Sequence, residues 1–164
     1  MADVFDTEKR SEVMSRIRGK GNKSTELALA SAFRRAHITG WRRHVAIKLA
    51  LGPRVAKRLG KTHLIVKPDF VFKQERVAVF VDGCFWHQCP LHSSVPENNR
   101  EFWERKLARN VERDRVHDRE MKKAGWKVVR FWEHDLLCRA GGPRPRSQRY
   151  SWRPTRHLAR LHRG

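Results

Sequence analysis

The stretch FVDGCFWHQCPLH, residues 80–92, carries two cysteines, two histidines, an aspartate and the adjacent rings Phe85 and Trp86. Cys84, Cys89 and His92 follow the spacing C-x4-C-x2-H. Zinc takes thiolate sulfur and imidazole nitrogen in a tetrahedron, and a structural site closes with four ligands. A loop this short can supply three, so the fourth must come from elsewhere. His134, just beyond VVRFW, is the first candidate and Cys138 the second. The competing reading is a pair of buried free thiols with histidines on the surface.

Outside that loop, Asp69 follows Pro68 in an otherwise apolar tract. Carboxylate oxygen is a hard ligand suited to Mg²⁺, which keeps several waters and binds phosphate oxygens. A turn or salt-bridge aspartate is the plainer alternative. The imidazole of His87 could move protons in catalysis. We expect Asp69 and His87 to converge around one divalent ion at the rim of a sheet. Phe85, Trp86 and Trp103, with Met14 and Ile17 near the N-terminus, could pack in a core or insert between base pairs. Glu26 suits the positive end of a helix, where capping is its default role.

The elements that must position these groups are legible in outline. STELALASAFRRAH opens on a capping residue, and Leu29, Ala32, Phe33 and Ala36 then recur at helical spacing. HVAIKLA alternates like one strand, with Val45, Ile47 and Leu49 on one side. LGPRVAKRLGKTH reads as a basic loop. LIVKPDFVF and RVAVFV read as two strands joined by the turn KQE, with Pro68 marking an edge or a bulge. Residues 98–123 are helical, with Trp103, Leu107 and Val111 at i, i+4 and i+8, and WKVVRFW is a last strand. The expected class is α/β, a mixed sheet flanked by helices. The expected divisions are an arm over 1–23 that orders on a partner, a body over 24–140, and an arginine-rich flexible tail over 141–164.

The chain has 164 residues, with 37 Lys and Arg against 17 Asp and Glu, a net charge of +20. Such an excess points to a polyanion, above all nucleic acid. Part of it lies in the tail, where no acidic residue follows Asp135, but the body is basic too. The longest apolar run, VAVFV, is strand-sized, so no membrane association is expected. The N-terminus lacks the apolar segment of a secretory signal, which places the protein in the cytoplasm, on the nucleoid.

The tracts RSEVMSRIRGKGNKSTE, KPDFVF, VAVFVDGCFWHQCP, EFWERKLARNVERDR and GWKVVRFWEHDL occur in this order. Together they resemble the very-short-patch repair mismatch endonucleases over residues 7–137. The resemblance implies a restriction-endonuclease-like fold with a structural zinc. It also implies Mg²⁺-dependent nicking of double-stranded DNA beside a T:G mismatch left by deamination of 5-methylcytosine. By motif, Asp69 and the main-chain carbonyl of Val81 would hold Mg²⁺, His87 would transfer the proton, and Glu26 would support them. Phe85, Trp86 and Trp103 match intercalating rings, and Met14 and Ile17 match the arm that reaches the opposite groove. Cys84, Cys89, His92 and His134 align with zinc positions. Arg113 and Arg115 are candidate phosphate contacts, while Asn110 and Asp114 fall on the matching helix without an assigned role. Asp82 departs from the histidine found in well-studied relatives; a carboxylate there could ligate metal. The basic segment over 50–63 and the tail also depart from the family pattern. A monomer is expected, with mismatch-repair proteins as further partners. The alternatives are a nuclease of the same fold that cuts undamaged DNA and a zinc-stabilised binding module without catalysis.

Overall fold

A computed structural model of the chain describes residues 23–137. Met14, Ile17, Cys138 and the tail lie outside the described residues. Ten elements follow in order: α1 (Lys23–Arg35), β1 (Trp41–Arg43), β2 (Ile47–Ala50), α2 (Pro53–Leu59), β3 (His63–Val66), β4 (Phe70–Phe72), β5 (Val77–Asp82), α3 (Arg100–Lys123), β6 (Lys127–Trp132) and α4 (Glu133–Leu137). The main sheet is mixed, in the order β1-β4-β5-β6; β2 and β3 form a separate antiparallel pair. β5 runs antiparallel to β4 and parallel to β6, the parallel step being bridged by the long α3.

β5 explains most of the architecture. Its residues VAVFVD are nearly all buried, as a central strand covered on both faces must be. Side chains alternate between the faces. Val77 and Val79 join Leu29, Ala30 and Phe33 of α1, with Phe70, Phe72, Phe131 and Leu136. Ala78 and Phe80 join Val71, Met121 of α3, and Ile47, Leu49 and Val66 of the β2–β3 hairpin. Continuing the alternation puts Val81 against the α1 layer and directs Asp82 to the α3 layer.

Three expectations are corrected. The strand expected over 44–50 is shorter: the chain bends at His44 after β1, and β2 begins only at Ile47. The tract 64–72 is not one strand: the break at 67–69, around Pro68, separates β3 from β4, which pair with strands of different sheets. The basic segment is not a loop. Its middle is α2, opened by Pro53 in the first turn, where no N–H is needed, and closed by Gly60 at φ 62°. Among the described residues no helix is long and apolar enough to cross a membrane.

Candidate active site and metal centre

β5 and β6 are parallel neighbours, so their C-terminal ends adjoin. The loop after β5 therefore meets the residues after β6. Cys84 and Cys89 are buried there, with His92 on the loop and His134 at the start of α4. One ligand atom from each lies within 4.8 Å of all the others. Cys84 Sγ is 3.1 Å from His134 Nδ1 and 4.0 Å from His92 Nδ1; Cys89 Sγ is 3.7 Å from both nitrogens. The edges of a tetrahedron with zinc's usual bond lengths are roughly 3.4–3.8 Å, so the four atoms fit such an ion. Burial, relieved in part by a hydrogen bond from His134, pushes the Cys84 thiol up to about 12. A thiolate at this place needs a cation beside it. Glu133 fixes the loop further by accepting the Cys84 N–H at 2.7 Å. Of the two candidates for the remote ligand, His134 is brought to the group and Cys138 lies outside the described residues.

A second group able to hold a metal comprises Glu26, His44 and Asp69, again within 4.8 Å of one another. Glu26 is buried because it occupies the helical stripe of Leu29, Ala30 and Phe33, at i, i+3, i+4 and i+7. It is ion-paired with Arg43 and lies 3.1 Å from His44 Nε2. Sequence reasoning missed His44, whose place in an apparent strand hid the bend that sets its ring beside Glu26 at the exposed rim of the group. Asp69 accepts the Val81 N–H through Oδ2 at 2.7 Å, and its own carbonyl accepts the His44 N–H at 3.2 Å. Burial pushes the Asp69 carboxyl up to about 6; the Val81 bond and His44 oppose that rise, and Glu26 and Asp82 add to it.

This shift carries a stability consequence. Between the unfolded value and about 6, folded Asp69 holds its proton more tightly than the unfolded chain does. Its stabilising contribution is full at low pH and falls as pH rises through that window. Asp69→Asn is therefore expected to stabilise the protein at pH 7, in buffer without divalent cations, by about 1–2 kcal/mol. The gain should shrink toward pH 4. Urea unfolding at both pH values checks this, and an equal or reversed difference contradicts it.

His87 and Asp82 belong to a third group, on the α3 face. His87 Nδ1 lies 2.5 Å from Asp114 Oδ2 and 3.7 Å from Asp82 Oδ1. One turn earlier on α3, Asn110 donates to the Trp86 carbonyl at 3.3 Å. The i, i+4 pair Asn110 and Asp114 thus clamps the loop, a role the sequence left open. Although burial works against it, the His87 bond and the charges of His87, Arg130 and Arg113 hold the Asp114 carboxyl below its usual range. Ionised Asp114 accepts a hydrogen bond from Nδ1–H, which fixes the tautomer and leaves Nε2 as the acceptor.

Asp82 is not in either metal-capable group. Arg130 Nη1 donates to both its oxygens, at 2.7 and 2.9 Å. Arg130 stands beside Phe80 in the parallel register, its guanidinium 4.5 Å from that ring's centre, and also bonds Asp118 at 3.0 Å. Burial raises the Asp82 carboxyl, with Arg130 and His87 opposing. Contrary to the expectation from the sequence, Asp69 and His87 do not meet in one metal-capable group: Asp69 is bonded to Val81, the next residue Asp82 faces His87 in the sheet's other layer, and among the described residues only Glu26 and His44 join Asp69.

Phe85, Trp86 and Trp103 form one ring cluster, with centroids 5.0–6.1 Å apart. Trp103 is 8% exposed, beneath the others and beside Phe102, whose exposure is 50%. Lys106 Nζ lies 5.1–5.4 Å from the rings of Trp86, Phe102 and Trp103. Arg113 and Arg115 are exposed on α3.

A family model described as DNA mismatch endonuclease Vsr matches residues 34–92. The chain is 44% identical over 128 residues to the type II nicking enzyme V.NaeI of Lentzea aerocolonigenes, covering 78% of this chain and 69% of the relative. It is 40% identical over 137 residues to the type II nicking enzyme V.NmeDIP of Neisseria meningitidis serogroup C, covering 82% and 80%. With the DNA mismatch endonuclease Vsr of Escherichia coli strain K12 it shares 36% identity over 141 residues, covering 85% and 78%. This chain belongs to the Vsr family. It is a DNA endonuclease. Membership in the Vsr family sets aside the binding module without catalysis.

Proposed function

We propose that this endonuclease nicks one strand of double-stranded DNA beside a T:G mismatch, with Mg²⁺ at Asp69 and a structural zinc on Cys84, Cys89, His92 and His134. The observation that carries the reading is the adjacency of a buried carboxylate group and an aspartate-held imidazole at the end of β5. Two carboxylates and an imidazole face one another around Asp69, and burial makes the ionised Asp69 costly to hold without a cation beside it. Oxygen donors of this kind fit Mg²⁺. Asp69, through the oxygen that Val81 N–H does not occupy, and the Val81 carbonyl would hold the ion. Glu26 and His44 would support it through its waters. When bound, Mg²⁺ supplies charge stabilisation at the scissile phosphate.

His87 Nε2 accepts the proton of the attacking water, and Asp114 stabilises the imidazolium that results. The water oxygen bonds to phosphorus as the P–O3′ bond breaks, and the departing 3′ oxygen takes a proton from solvent, leaving a 3′-hydroxyl and a 5′-phosphate. Asp82, closed into its pair with Arg130, acts here by orienting His87 rather than as a metal ligand. Phe85 and Trp86, backed by the buried Trp103, present a ring surface for an unstacked step, with Arg113 and Arg115 on phosphates. A mismatched step costs less to open than a matched one, which favours T:G without a hydrogen-bond code for each base. The protein would act as a monomer in the cytoplasm, with 24–140 as the endonuclease domain. Met14 and Ile17 would reach the far groove.

Duplexes identical except for T:G or T:A at one position, incubated with Mg²⁺, test the proposal. Nicking of T:G alone is the expected result. Equal cutting of both favours the same-fold nuclease for undamaged DNA, a reading that this chain's own departure from the family pattern at Asp82 keeps open.

A further inference from the structure

The β2–α2–β3 unit springs from the candidate metal group at both ends. His44 precedes β2, Asp69 follows β3, and His44 N–H donates to the Asp69 carbonyl at 3.2 Å, which closes its base. The far end is closed by Leu51 N–H on the Thr62 carbonyl at 3.0 Å, and α2 forms the tip. One face of the hairpin packs in the core through Ile47, Leu49 and Val66. The other carries Lys48 and Ile65, both exposed and directly cross-strand.

At the tip, Arg54, Lys57 and Arg58 stand at i, i+3 and i+4 on the exposed side of α2, while Val55, Ala56 and Leu59 are partly covered. Lys61, just past the Gly60 cap, is exposed as well. None of these four side chains makes an ion pair among the described residues. From Leu27 to Pro68 the sequence has no acidic residue and ten Lys or Arg. Four uncompensated cations on a short rigid arm are ordinarily a cost through mutual repulsion, and an anion removes that cost.

We propose that the α2 arm is a second DNA clamp, which grips backbone phosphates of the duplex away from the nick. This rests on the nuclease reading of the Asp69 group. Seven residues separate base from tip, so the arm reaches about 23 Å at the rise of a strand. That distance is about six to seven base pairs along the duplex. The partner is DNA because the arm's base already receives a phosphodiester, and a duplex continuing from it meets the tip at a fixed separation. The clamp reads no bases; it lengthens the footprint and strengthens the salt dependence.

The test uses the full chain and the variant Arg54→Ala/Lys57→Ala/Arg58→Ala/Lys61→Ala. These are solvent-facing positions, and alanine favours helix, so thermal unfolding should match wild type. Binding is measured on duplexes of about 12 and about 30 base pairs centred on the nick, across salt. Wild type should gain affinity on the long duplex and the variant should not. With four phosphates released, the wild-type advantage should shrink about a hundredfold between 50 and 200 mM salt. Neutral methylphosphonates placed about six base pairs from the nick should erase the difference between the proteins, whereas the same groups on the opposite flank should not. Single-turnover nicking at saturating DNA should be equal in both.

Equal salt slopes, an undiminished long-duplex advantage in the variant, or insensitivity to methylphosphonate position overturns the clamp while wild-type nicking stands. Absence of nicking by wild type overturns the nuclease reading itself, and the clamp with it.

Discussion

Asp69→Ala is expected to lower single-turnover nicking by at least ~10³-fold, about 4 kcal/mol of barrier. DNA affinity should stay within about threefold, because the binding surface is spread over many cations and rings. The reason is geometric. Asp69 is the carboxylate that links both halves of the site: it accepts Val81 N–H at the end of β5 and belongs to the group with Glu26 and His44. Alanine leaves the Val81 N–H unpaired and removes the oxygen offered to the ion. Asp69→Asn restores an acceptor for Val81 but not the charge, so it should be as inactive as alanine while folding more tightly in the absence of cations. Filter binding and nicking assays on the same preparations separate the two effects. Wild-type cleavage by either variant would remove the metal assignment.

The second large effect concerns the thiol and imidazole centre. Cys84→Ser should abolish stoichiometric zinc and lower stability by about 3 kcal/mol or more, a fall in unfolding temperature on the order of 10 °C. A serine hydroxyl lacks the soft, ionisable sulfur that this ion prefers. The centre fastens the loop after β5 to the first turn of α4, and Phe85, Trp86 and His87 ride on that loop. Nicking should therefore fall together with stability, without any change at Asp69. Elemental analysis alongside thermal unfolding checks both, and equal zinc in the two proteins counts against the centre.

Legibility in the sequence followed how local each signal was. β5 and α3 announce themselves because an unbroken apolar run and a long helical period are properties of adjacent residues. The same holds for Cys84, Cys89 and His92, whose spacing within one loop is itself the evidence. His44 was hidden because a bend of three residues looks like alternation when read as one strand. α2 passed for a loop because its covered side is only Val55, Ala56 and Leu59, too few to set a period. Asn110 and Asp114 were visible as a pair, but which loop they face depends on how α3 lies across the sheet. Arg130 was the least legible: a cation inside a strand gives no hint that three aspartates from two other elements surround it.

That arrangement makes the coupling between residues 82 and 130 one-sided. Arg130 holds both oxygens of Asp82, so removing it strands a buried carboxylate, at a cost of about 3–5 kcal/mol. Removing Asp82 leaves the guanidinium still paired with Asp114 and Asp118. Position 82 is therefore the freer of the two to change, whereas a chain that loses Arg130 must change residue 82 as well to keep its stability.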